Sequence, residues 1–88
     1  MATSYANEDS LALDLLRREV DAADAAIVAA VEGRRKLVAH VARLKRDWGF
    51  PARDEEREGE VIAGYVRALD GRDGAAELGR AVLFASRP

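Results

Sequence analysis

The chain has 88 residues, a formal net charge of −2, no cysteine and a single histidine. These values exclude disulfides, thiolate metal sites and an all-histidine metal site within one chain, and they give no reason to expect nucleic acid or an acidic membrane surface as a partner. Hydrophobic residues make up 49% of the chain, but many are alanines that bury little area, and a domain this small often depends on a second subunit.

Residues 1–9 are polar and aperiodic and read as a flexible tail, without a charged-then-apolar leader. From about Ser10 to Trp48 a helical pattern runs without proline, with Ser10 or Asp9 as its N-cap and Gly33 as its one weak point. At heptad spacing its seam reads Leu13, Leu16, Val20, Ala23, Ile27, Ala30, Arg34, Val38, Val41, Lys45, Trp48. Such a helix would be about 57 Å long at 1.5 Å per residue. A compact domain of this size has a radius of gyration of only roughly 12 Å, so a second chain is expected to cover the seam. No apolar run nears the roughly 18 residues of a membrane span, so a soluble, cytoplasmic protein is expected.

Gly49-Phe50-Pro51 should end this helix, since Gly accepts a left-handed stop and Pro forbids continuation. Asp54 is the expected N-cap of a second helix, with Glu55 and Glu56 in its first turn and an apolar stripe of Val61, Ile62, Tyr65, Val66 and Leu69. Residues 70–74, Asp-Gly-Arg-Asp-Gly, form a turn by composition. A short third helix, about Ala75 to Ser86, carries Leu78, Val82, Leu83 and Ala85. Nothing alternates like a strand. The expected fold is all-α: three helices per protomer, one long, one medium and one short, in an intertwined homodimeric bundle whose domain spans residues 10–88.

The chemistry is carried by charge. Arg34 and Lys45 fall near the middle of the face that Ile27, Val38 and Val41 define, and Arg17 lies toward its flank. One arginine on a seam could snorkel outward or meet a neighbouring carboxylate, but two cations on one seam need two partners, and burying them unmet is costly. A site for a small polyanion answers both. Arg35, Lys36, Arg43 and Arg46 lie off this face and read as solvated. His40 lies opposite it and is not expected to act as a base. Trp48, Phe50 and Phe84 read as core or dimer packing. In the run 53–58, Asp54 and Glu58 are four residues apart and share a face, with Arg57 beside them. By default such a run is a solvated, well-capped helix start; facing a cationic pocket, the same carboxylates could accept from a ligand hydroxyl. There is no nucleophile–base pair, phosphate-cradling glycine loop or metal-ligand spacing, and no cofactor is expected.

The pattern Leu16-Arg17-x-x-Val20-Asp21-x-x-Asp24, then Arg34-Arg35, Lys45 and Arg53-Asp54-x-x-Arg57-Glu58 resembles the all-α class of chorismate mutases. The resemblance covers about residues 13–69, with a looser continuation through the last helix. It implies an intertwined homodimer with two equivalent sites, isomerising the dianion chorismate to prephenate in aromatic amino acid or related secondary-metabolite biosynthesis. It further implies that Arg34 and the other protomer's Arg17 each clamp a substrate carboxylate, in the bidentate geometry a guanidinium favours. Lys45 would donate to the ether oxygen of the breaking bond, and Asp54 and Glu58 would hold the ring hydroxyl. Arg57 would support the site, and Ser86 would touch a substrate carboxylate. The rearrangement is pericyclic, so it needs no base or nucleophile; fixing the conformer and stabilising charge on the ether oxygen suffice.

One departure stands out: the family's second donor to the ether oxygen would fall at residue 90, beyond Pro88. Low activity alone, a shortened chain or a completing partner would each account for it. The resemblance offers 3-deoxy-heptulosonate-7-phosphate synthase as that partner. Isochorismate-pyruvate lyases and 4-amino-4-deoxychorismate mutases of the same fold share the arginines and the lysine, but the Asp54/Glu58 pair resembles the ordinary mutase. A catalytically weak helical dimer module is the remaining alternative, and the retention of Arg17, Arg34, Lys45, Asp54 and Glu58 argues against it.

Overall fold

The computed structural model describes residues 8–88 as three α-helices: α1, Glu8–Trp48; α2, Glu55–Ala68; and α3, Ala75–Ala85. Among the described residues there is no strand, in keeping with the all-α expectation. Helix α1 starts two residues earlier than the capping argument placed it. Glu8 and Asp9 occupy its first turn, where carboxylates favour the positive end of the helix dipole. Ser10 is therefore inside the helix, and the rest of the expected tail, residues 1–7, lies outside the described residues. No described helix is long and apolar enough to cross a membrane.

The chain divides into two compact units, with the boundary inside α1 after Ala30. In the first unit the seam residues Leu13, Leu16, Val20 and Ile27 stand exposed. The second unit, Val31–Pro88, holds the rest of α1 together with α2 and α3. Gly49 adopts φ +74° and closes α1 as expected: its N–H donates to the Arg46 carbonyl at 3.3 Å and the Phe50 N–H to the Lys45 carbonyl at 2.8 Å. That pair of bonds is a Schellman stop, and the left-handed residue it requires is why a glycine sits there.

Helices α2 and α3 form a close hairpin. Among the described residues, the buried ones are Ala75, Gly79, Val82 and Ser86, which lie along one face of α3. The sequence pattern pointed instead to Leu78, Val82, Leu83 and Ala85. Of these Val82 is buried and Leu83 half-buried, while Leu78 and Ala85 are exposed. The reason is distance. A Cβ on Gly79 would stand 3.2 Å from the Ile62 Cα and 3.5 Å from the Tyr65 Cβ, so the helices approach too closely for large side chains to line the contact. Gly79→Ala is therefore expected to destabilise the chain despite alanine's helix propensity, which favours it by about 1 kcal/mol. The Ile62 backbone cannot rotate aside, and overpacking of this kind costs typically 1–3 kcal/mol. A urea midpoint at or above that of the parent chain would refute this account.

Candidate active site

The second unit contains a cavity of about 480 Å³, within the roughly 300–1,000 Å³ usual for small-molecule sites. Its α1 wall is one helical face: Arg34, Val38, Val41 and Lys45. Arg34, Lys45 and Glu58 are the only half-buried charged residues among those described; every other charged residue is exposed. All three line this cavity.

Arg34 reaches across to α3, where its Nη1 donates to the Ser86 hydroxyl. Ser86 is fully buried at the C-cap of α3 and donates its own proton to the Val82 carbonyl at 2.6 Å. This back-bond to the preceding turn fixes the rotamer of the hydroxyl. Lys45 has no ion pair or side-chain hydrogen bond among the described residues. Lys45 is half-buried and lines the cavity beside Val41.

The opposite wall comes from the start of α2. Asp54 is the N-cap, in extended conformation, and its Oδ1 accepts the Arg57 N–H at 3.0 Å. Glu58 lies one turn before Ile62 on the face that continues to Tyr65 and Leu69, which is why its carboxylate is half-buried at the cavity edge. Arg53 Nη2 pairs with Glu58 Oε1 at 3.3 Å, and Arg57 Nη1 with Glu60 Oε1 at 3.4 Å. In all, the cations Arg34, Lys45, Arg53, Arg57 and Arg87 face the carboxylates Asp54 and Glu58. This surplus of positive charge suits a dianion. Among the described residues no group of three or more His, Cys, Asp and Glu side chains could hold a metal ion.

The structure thus gathers Arg34, Lys45, Asp54, Arg57 and Glu58 around one cavity and joins Ser86 to it through Arg34. Arg17 is exposed on the first unit and is not among the lining residues. Two lining cations had no role assigned from sequence: Arg53, which stands in the charge pattern that carries the resemblance, and Arg87. Arg53 stands immediately before the Asp54 cap. Arg87 follows Ser86 and places its guanidinium 5.2 Å from the centre of the Phe84 ring. Their signal was adjacency to residues already singled out. Trp48, Phe50 and Phe84 are all exposed, which removes the core half of their expected role; Trp48 and Phe50 meet edge-on at 6.0 Å. His40 is exposed, as expected, and its Nδ1 accepts from Arg43 Nη2 at 2.6 Å.

No curated protein and no solved structure matches the chain. A family model described as chorismate mutase type II matches residues 16–83, a span that runs from the first turns of α1 into the last turn of α3 and takes in every cation of the α1 wall. By that match, the chain belongs to the chorismate mutase type II family, isomerases that rearrange chorismate to prephenate.

Proposed function

We propose that this cavity is the mutase site and that it is completed by a second copy of the chain in an intertwined homodimer. The observation that carries the reading is the coincidence of burial with charge: the half-buried ions Arg34, Lys45 and Glu58 converge on one cavity. In this reading Arg34 clamps one carboxylate of chorismate beside Ser86, and Arg17 of the partner subunit clamps the other. Lys45 donates to the ether oxygen, and Glu58 with the Asp54 turn holds the ring hydroxyl. Arg57 adds positive potential from the rim. No proton changes hands, which agrees with a site built from fixed ions. Their task is to hold the folded conformer and to meet the charge that develops on the oxygen.

The dimer is supported by the exposed Leu13, Leu16, Val20 and Ile27, an apolar stripe of the kind that marks a protein interface. A cytoplasmic role in aromatic amino acid or related secondary metabolism belongs to the same reading. So does 3-deoxy-heptulosonate-7-phosphate synthase as a candidate partner, for which exposed Phe84, beside cavity-lining Leu83, offers an apolar foothold.

Subunit mixing tests the shared site. Assayed at substrate concentrations well below KM, Arg17→Ala and Arg34→Ala homodimers should each be nearly inactive. Equimolar exchange between them should restore about one quarter of the parent turnover, because half the dimers are then mixed and each holds one intact site. Mixed dimers without recovered activity, or a monomer by sedimentation, would sink the proposal.

A further inference from the structure

Glu58 does not meet the cavity as a bare carboxylate. Its side chain is 29% exposed, and Arg53, 65% exposed, donates to Oε1 at 3.3 Å from the turn just ahead of α2. An ion pair this open to water contributes little to stability. Its consequence lies in the charge it leaves at the cavity edge. Asp54, the other carboxylate on the lining, is engaged by the first turn of α2 as its cap, and Arg57 is turned to Glu60. Glu58 is therefore the negative charge that a ligand would feel, and Arg53 is the cation that cancels it.

We propose that Arg53 is a specificity-determining residue: by pairing with Glu58 it makes the site favour a ring hydroxyl over a ring ammonium. The inference rests on the reading of Glu58 as the acceptor for the ring substituent. With Oε1 held by Arg53, Oε2 is free to accept from one neutral hydroxyl at no cost in charge. An aliphatic ammonium in the same place meets a carboxylate already neutralised, and it brings a like charge toward the Arg53 guanidinium. Without Arg53 the balance reverses. A lone half-buried carboxylate attracts an ammonium as a full opposite charge, an attraction that a neutral hydroxyl does not offer. Discrimination here works by repelling the wrong partner as well as by holding the right one. The position of Arg53 suits this task, because it directly precedes Asp54, the N-cap that anchors the start of α2.

The test compares chorismate with 4-amino-4-deoxychorismate, which carries an amine in place of the ring hydroxyl. Both kcat/KM and the dissociation constant are measured for the parent chain, Arg53→Ala, Arg53→Gln and Arg53→Lys. The binding ratio is then read even where turnover is slow. Loss of the cation should move the preference toward the amino substrate by about tenfold in both neutral variants, while Arg53→Lys stays within about threefold of the parent. A parallel loss for both substrates, with the ratio unchanged, is what a merely structural role would give and would overturn the proposal. Glu58→Gln separates the two levels of inference. If it alters binding of neither substrate, the placement of the ring substituent fails and the proposal with it. If it alters binding while the Arg53 variants leave the ratio alone, only the role of Arg53 fails.

Discussion

Replacing Lys45 with alanine is expected to lower kcat for chorismate by about 10²–10³-fold while changing the affinity for substrate far less, the signature of a donor that acts chiefly in the transition state. Lys45 lies on the α1 face that lines the cavity, half-buried beside Val41, and has no ion pair among the described residues. Half-buried and without an ion pair, this side chain contributes little to folding through its charge, so the alanine variant should fold about as well as the parent and the loss should be one of chemistry. Lys45→Gln keeps a donor without the charge and should recover only part of the rate. A kcat for Lys45→Ala within about threefold of the parent would place the ether oxygen elsewhere in the cavity.

Arg34→Ala should produce the next largest loss, roughly 10²-fold in kcat/KM and expressed mainly in KM. Arg34 gives one N–H to Ser86, and its planar fork has further donors for a carboxylate. Charge-assisted hydrogen bonds of this type contribute about 1.5–3 kcal/mol each, enough to account for that factor. Arg34→Lys keeps the charge but loses the fork and should recover little. Chorismate turnover and calorimetric binding check both statements. A loss below about tenfold in kcat/KM would show that the carboxylate is held elsewhere.

The sequence was most legible where a local rule decides the outcome. Gly49 had to end α1 because a left-handed residue was needed before Pro51, and Asp54 had to cap α2 because its carboxylate reaches the N–H three residues on. Arg34 and Lys45 were readable because a period of 3.6 places them on one face, and that face lines the cavity. Helix α3 was misread for a reason of the same physical kind. Large apolar side chains normally mark a buried face, but close approach to α2 at Gly79 reserves this one for small residues. That approach depends on two helices at once, and no window of a single helix contains it. Arg53 and Arg87 had no role in the sequence reading for a similar reason: each is an ordinary surface cation in sequence and reaches the cavity only through the segment that carries it. Arg17 sits on the part of α1 whose seam stands exposed and is not among the residues that line the cavity, so nothing in one chain marks it as a site residue.

The buried hydroxyl of Ser86 has one proton, and that proton is already committed to the Val82 carbonyl. Toward Arg34, Ser86 is therefore an acceptor, fitted to a guanidinium and closed to a carboxylate. To take hold of an anion it must turn its proton outward, and the Val82 oxygen then keeps only the bond from the Ser86 N–H, at 3.0 Å. The tightness of the final turn of α3 and the capacity of Ser86 to donate elsewhere thus share a single hydrogen atom, and the hydroxyl cannot serve both at once.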